Sequence, residues 1–295
     1  MVSCNAAENG SGTDLFMVFT ERQHIEMMND IGLLRMLKEK AGWIRAETLN
    51  IHKNAPETRL ASSLSAVEIF AVLYYGGILS YNAKDIRWDK RDRFIISKGH
   101  GSISLYPVLA DLGFFQKEEI QKVCKQGSFL GGIPDASIPG YETINGSLGH
   151  GVGVACGISL ALQKRNKQES VFVLMGDGEL YEGSVWEAFM FAGEHKLENL
   201  NVIVDSNKAS MLGYCRDIID FDPLGKKLNS FRWKVFNVDG HDIAKLFDTL
   251  TKMKKTRKGN PKIMYRQSGY WAYLCVFFSS WSASQIFWQY HCRLH

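Results

Sequence analysis

The sequence is poor in the features that mark stapled, secreted or fibrous chains. Its six cysteines (4, 124, 156, 215, 275 and 292) form no C-x-x-C pair and no zinc spacing. That excludes a disulfide framework, fits small buried thiols in a reducing compartment, and makes a cytoplasmic location the expectation. The opening MVSCNAAENGSGTDLF has neither the basic segment nor the long apolar segment of a secretory signal. No internal repeat, low-complexity tract or linker interrupts the chain. No basic face is concentrated either: the net charge of +4 is spread along the sequence. The densest run, Lys252, Lys254, Lys255, Arg257 and Lys258, reads as the solvated end of a helix, so nucleic acid is not expected as a partner. Residues 267–292 hold no Lys, Arg, Asp or Glu but do hold Trp271, Trp281 and Trp288. They are numerous enough to span a bilayer, yet Ser279, Ser280, Ser282, Ser284, Gln285 and Gln289 dilute them, so a membrane span is not expected.

What is present is a globular composition, 295 residues of which 45% are hydrophobic and 22% charged. Residues 31–50 place Ile31, Leu34, Leu37, Ala41, Ile44 and Leu49 near a 3.6-residue period, predicting an amphipathic helix. Ser65 with Glu68 predicts a capping box opening AVEIFAVLYYGG. RFIIS, SVFVLM, NVIVD and WKVFNV are short β-branched runs suited to buried strands. After the last of these, Asp242 is the expected N-cap of a helix with Ile243, Leu246, Phe247, Leu250 and Met253 on one face. Strands alternating with helices predict an α/β fold, a mostly parallel sheet with helices on both faces. The expected organisation is an arm over 1–29, one domain over 30–265 and an atypical aromatic tail over 266–295.

One stretch calls for a chemical reading. VFVLMGDGELYEG ends an apolar strand on Asp177, between Gly176 and Gly178. In an open parallel sheet ligands gather outside the carboxyl ends of the strands, and flanking glycines let a ligand approach the backbone closely. Ser184 with Glu187 predicts a capping box opening the next helix. A helix start beside a carboxylate suits a magnesium ion bridging a phosphate group. Thirty residues further on, NVIVD ends at Asp205-Ser206-Asn207, so one strand-helix-strand unit brings Asn207 beside Asp177. An ordinary turn and a helix-capping Asn207 are the plainer alternative; placement of both residues at strand ends favours a shared metal.

The stretch GDGELYEGSVWEAFMFAGEHKLENLNVIVDSN resembles the thiamine-diphosphate motif, and most closely that of transketolase. WDKRDRFIISKGHGS, ETINGSLGHGVGVACGISLAL, VDGHD and SSLSAVEIFAVLYYGGIL agree with the N-terminal half of that family, in order, over roughly residues 30–265. The resemblance implies the thiamine-diphosphate-binding fold. It further implies that Asp177, the Asn207 side chain and the backbone carbonyl of Ala209 hold Mg²⁺ or Ca²⁺, and that Gly176 and Gly178 lie against the diphosphate. Gly146 and Leu148 match the segment meeting the aminopyrimidine side, while tight helix packing is the alternative use of Gly153 and Gly157. His100 matches the histidine lining the channel near the thiazolium, and Glu182 the glutamate that couples two cofactor sites across a dimer. The implied reaction moves a two-carbon ketol unit from a ketose to an aldose, with sugars or sugar phosphates as substrates.

Four departures accompany the likeness. Arg59 stands where the family has one sugar-contacting histidine and Ile133 where it has another. Arg59 offers a fork suited to a carboxylate or phosphate, or else points outward to Glu57 or Glu47. The halves carrying the pyrimidine-binding and C-terminal domains are missing, which implies a separate C-terminal subunit, with two such heterodimers pairing into a larger dimer. After GNPKIMY the family pattern stops, so a reading-frame change or altered terminus is favoured over a membrane anchor. The remaining alternatives are a subunit of a 2-oxo acid dehydrogenase type, against which SKGHGS and GSLGHG argue, and a non-catalytic cofactor-binding subunit.

Overall fold

The computed structural model describes residues 21–144, 146–210 and 213–267. The tail from residue 268 onward, and the expected arm as far as residue 20, lie outside the described residues.

Helix α1 (Glu21–Asn54) buries Leu37, Ala41 and Ile44 of the 3.6-residue stripe read from the sequence, with Leu34 and Leu49 half-buried, and buries Ile51 one turn beyond Thr48. Ile31, assigned to that stripe, is 53% exposed because it precedes the point where other elements cover the helix. Two short helices follow, α2 (Leu60–Leu64) and α3 (Val67–Phe70), the second running into a π-helical turn over Ala71–Tyr75. The predicted Ser65–Glu68 capping box does not form. Ala66 is the N-cap, the Ser65 hydroxyl donates to the Asp205 carboxylate with Ser62 O also within reach, and Glu68 turns inward to Arg45 and Arg266. Buried cations outcompete a local cap for both side chains.

Next come β1 (Arg93–Ile96), α4 (Leu105–Asp111), α5 (His150–Lys164), β2 (Val171–Gly176), α6 (Gly183–Glu194) and β3 (Leu200–Ser206). A small hairpin of β4 (Ala209–Ser210) and β5 (Gly213–Tyr214) leads to α7 (Cys215–Ile218), α8 (Leu224–Ser230), β6 (Lys234–Asp239), α9 (Ile243–Lys255) and β7 (Lys262–Gln267). Asp242 caps α9 as expected, its carboxylate accepting from Lys245 N–H. The Ser184–Glu187 box does not form: Glu182 is the N-cap of α6, and the Ser184 hydroxyl donates to Gly149 O instead.

Among the described residues β1, β2, β3, β7 and β6 form, in that spatial order, a sheet of parallel strands. Its register explains the two-sided core. Ile96, Leu174, Ile203 and Met264 align across the sheet and join the side chains of α1, α3, α4 and α9. Their neighbours Ile95, Val173, Val202 and Ile263 point the other way, into α5, α6 and α8. Both faces are covered, so the strands read as continuous apolar runs. Strand β7 carries Lys262 and Arg266 at fully buried positions. Those charges interrupt the apolar pattern and hid the strand that sits between β3 and β6. Among the described residues no helix is long and apolar enough to cross a membrane.

Candidate functional site

Because the strands are parallel, all their carboxyl ends open on one edge, and most of the sequence-predicted residues follow those ends. His100 lies in the turn after β1, Asp177 opens the turn after β2, and Asn207 follows β3. Strands β2 and β3 pair directly, Gly176 opposite Asp205. The tie continues past them: Asp177 Oδ2 accepts the Lys208 N–H at 2.7 Å, while Oδ1 accepts the Gly178 N–H at 3.0 Å. Asp177 is buried and its pKa is pushed up to about 6. Burial is the chief cause, opposed by the Lys208 N–H and reinforced by the charge of Asp205. A carboxylate so poorly solvated gains from a cation beside it, and a hard divalent ion prefers such oxygen donors. Among the described residues no three His, Cys, Asp or Glu side chains converge on one point. A cation held at Asp177 therefore needs amide or carbonyl oxygens, which is the donor set that Asn207 and the Ala209 backbone offer.

The glycines fall into two kinds. At Gly176 an added Cβ meets only the Lys98 stem, at 3.8 Å, at Gly178 only Ser210 Cβ, at 3.5 Å, and at exposed Gly146 nothing within 4 Å. The protein does not demand glycine at these three places, which leaves backbone open to an incoming ligand. Gly149 and Gly151 differ. Gly149 starts α5 with φ of +81°, and a Cβ on Gly151 would lie 2.5 Å from Ser97 Cβ. The tight packing anticipated for Gly153 and Gly157 falls instead on Gly151. Both are exposed, with nothing within 4 Å of a Cβ, because they lie on the outer side of α5.

His100 is half-buried, with its pKa lowered to about 4 by burial first, then by the charges of Lys98 and Arg59. The ring is neutral at pH 7 and can accept or donate a proton. Arg59 is exposed at the start of α2, yet its charge reaches His100. Leu148 is half-buried just before Gly149. Glu182 is exposed and packs its stem against Gly149, where a Cβ would come within 2.6 Å. Ile133 is 53% exposed in the loop before Pro134.

Sequence reasoning missed a buried ionic network beneath this edge. Lys98 Nζ lies 2.6 Å from Asp205 Oδ2 and donates to Ser65 Oγ at 2.9 Å; both charged side chains are almost wholly buried. Arg266 pairs with Glu68 at 2.9 Å, lies 3.6 Å from Asp205 Oδ1, and donates to Gly240 O and Ser65 O. Burial pushes Glu68 up, but His241, Arg266 and Arg45 outweigh it and hold the carboxyl at about 2. The one available signal was polarity out of place: a lysine directly after a buried strand and an aspartate closing another.

Residues 37–268 match the family model described as transketolase, thiamine diphosphate binding domain. The chain is 38% identical over 239 residues to a transketolase family protein of Sinorhizobium fredii, covering 80% of this chain and 85% of that one. It is 38% identical over 224 residues to one of the apulose-4-phosphate transketolase subunits of Actinobacillus succinogenes, covering 75% and 81% of the two chains. Among solved structures it superposes on the transketolase of Campylobacter jejuni with a TM-score of 0.75 at 29% identity, covering 79% of this chain. It spans only 37% of that solved chain. With its sheet, its strand-end site and these relatives in agreement, the chain belongs to the transketolase family, through the thiamine-diphosphate-binding domain.

Proposed function

We propose that this chain is the diphosphate-binding, N-terminal subunit of a split transketolase, which works with a separate C-terminal subunit to move a two-carbon ketol unit from a ketose donor to an aldose acceptor. The observation that carries it is the hydrogen bond from Lys208 N–H to Asp177 Oδ2, which joins the Gly-Asp-Gly turn to the Asn207 turn at adjacent strand ends. Relatives of similar length support the division into subunits: one is named as a subunit of an apulose-4-phosphate transketolase, another as a subunit of a 6-deoxy-6-sulfo-D-fructose transketolase. Longer relatives such as human transketolase are matched over 34% of their length.

In this reading Asp177, the Asn207 amide oxygen and the Ala209 carbonyl hold Mg²⁺ or Ca²⁺. Gly176 and Gly178 lie along the diphosphate, Gly146 and Leu148 along the aminopyrimidine side. Bound thiamine diphosphate supplies the electron sink for breaking a carbon–carbon bond next to a carbonyl. The chain's part is to bind and orient it, to neutralise the diphosphate through the metal, and to hold the neutral His100 imidazole where it can exchange a proton with a sugar hydroxyl. Arg59 beside His100 suits a substrate with an anionic end, such as a sugar phosphate. Ile133 then replaces a polar sugar contact with an apolar wall. Exposed Val154 on α5, and Met190 and Phe191 on the adjoining α6, support a further contact with a second pair, across which Glu182 would couple two sites. The free cysteines 124, 156 and 215 fit a cytoplasmic setting.

Calorimetric titration of thiamine diphosphate with Mg²⁺, with and without a co-expressed transketolase C-terminal subunit, followed by a ketose-cleavage assay, tests this. Binding with turnover only in the pair is expected. Binding without turnover on any ketose favours a non-catalytic subunit, and turnover of 2-oxo acids favours the dehydrogenase class.

A further inference from the structure

A second buried carboxylate stands two residues beyond Asp177, and the function just proposed makes no use of it. Glu179 is 2% exposed, so it is not placed to touch a ligand in the open edge. Its oxygens are taken up by the protein. Oε1 accepts the Gly176 N–H at 3.0 Å, while Oε2 accepts the Gly149 N–H at 2.9 Å and the Ser97 hydroxyl at 2.5 Å. Ser97 Oγ in turn accepts the Gly151 N–H at 3.2 Å, so its own proton is committed to Glu179. One carboxylate thus ties together the end of β1, the end of β2 and the first turn of α5.

The chemistry of the donors explains why a carboxylate is used. Three donors converge and no acceptor is left among them, so only a group with two acceptor oxygens satisfies all three. The negative charge also faces the N-terminal end of α5, a 15-residue helix, where it is favoured. The two halves it connects are different in function. Gly176 leads into Asp177, on the metal and diphosphate side, and Gly149 closes the 146–149 loop, on the aminopyrimidine side. Left-handed Gly149 is held from both directions, its N–H by Glu179 and its C=O by the Ser184 hydroxyl at 3.2 Å.

We propose that Glu179 is a positioning residue that sets the distance between the diphosphate half and the aminopyrimidine half of the cofactor cradle, with Ser97 as its relay to α5. The proposal rests on the cofactor reading above. It makes a distinction that simple support of the fold does not. A ligand spanning both halves depends on their spacing, whereas inorganic pyrophosphate, which occupies one half, does not.

The test uses the full chain with the C-terminal subunit, Mg²⁺ present, and calorimetric titration of thiamine diphosphate and of inorganic pyrophosphate. Glu179→Gln is nearly isosteric but offers one acceptor oxygen, so its amide N–H₂ must face one of the glycine N–H donors. Thiamine diphosphate affinity is expected to fall tenfold or more, and pyrophosphate affinity less than threefold. Ser97→Ala, a smaller change that keeps both glycine contacts to Glu179, is expected to weaken thiamine diphosphate at least threefold and leave pyrophosphate unchanged; it also serves should the first variant fail to fold. Equal losses for the two ligands, or unchanged thiamine diphosphate affinity in both variants while the wild type binds, overturn the positioning role. A wild-type pair that binds neither ligand overturns the cofactor reading itself, and this inference with it.

Discussion

Replacing Lys98 by Met puts the buried network to a quantitative test. Methionine keeps most of the stem that runs past Gly101 and Gly176 but removes the charge 2.6 Å from Asp205 Oδ2. In the wild type, burial pushes the Asp205 carboxyl up, but the charges of Lys98 and Arg266 and the hydrogen bonds from Lys98 and Ser65 outweigh it and hold the pKa below the usual carboxylate value. Without Lys98, Asp205 keeps the Ser65 hydroxyl and Arg266 at 3.6 Å. It then either stays ionised at a cost or takes up a proton. Protonation sets the ceiling: from an ordinary carboxylate pKa near 3.9, holding a proton at pH 7 costs about 4 kcal/mol, at roughly 1.4 kcal/mol per pH unit. Residual attraction to Arg266 trims this, so a loss of about 3 kcal/mol is expected, at the lower end of the range for breaking a buried ion pair. The sign with pH follows. In the variant, the folded pKa of Asp205 rises above its unfolded value, so the deficit is small near pH 4 and grows as pH rises toward that folded pKa. Urea unfolding of the full chain at pH 5 and pH 7.5 measures it. Adding Asp205→Asn should recover part of the loss, because no bare charge is then left buried. A Lys98→Met deficit under about 1 kcal/mol at pH 7.5, or one equally large at pH 5, would refute this account of the network.

Other consequences are as direct. Asp177→Asn should lower metal-dependent thiamine diphosphate affinity by about a hundredfold or more, since a metal-paired carboxylate is lost, while leaving the fold intact by circular dichroism. In the ligand-free chain the same change relieves a strained charge. Asp177 has a folded pKa raised to about 6, so its stabilising contribution is present below pH 4 and lost as pH rises through 6. Thermal unfolding should accordingly find the variant at least as stable as wild type at pH 8 and less stable at pH 4.5. His100 behaves in the opposite sense. Its pKa is lowered to about 4, so stability held above pH 6.5 drains away as pH falls toward 4, and its imidazole NMR signals should stay those of the neutral ring at pH 5.5. Lys98→Met or Arg59→Ala should move that titration upward. Gly193→Ala should abolish stable folding or cost more than about 3 kcal/mol, because its Cβ would sit 1.8 Å from Phe231 O. Gly153→Ala, exposed at the end of the first turn of α5, should stabilise the isolated chain by up to about 1 kcal/mol in thermal unfolding.

The sequence by itself determined the outline. β-branched runs bounded by turns marked β1, β2, β3 and β6, Asp242 marked the start of α9, and the alternation implied a parallel sheet with both faces covered. Each of these is written in local side-chain chemistry, where propensity, periodicity and burial agree. The end of β2 at Gly-Asp-Gly was legible for the same reason, since glycines flanking a carboxylate break an apolar run where the strand stops. Only the tertiary structure decided which polar residues serve each other across the chain. Ser65 and Glu68 read locally as a capping box, yet Lys98, 33 residues away, and Arg266, 198 residues away, claim them. Gly153 and Gly157 read as packing glycines, but the packing falls on Gly151, because which side of α5 meets β1 depends on how the helix docks. β7 was invisible because its charges look like surface residues until partners from other segments surround them: Arg266 meets Ser65, Glu68, Asp205 and Gly240, and Lys262 donates to Glu198 O and Thr256 O. Glu179 gave no sign of its role: in sequence it is one more acid in an acidic turn. Its three donors come from residues 97, 149 and 176, and only folding brings them within reach of one carboxylate.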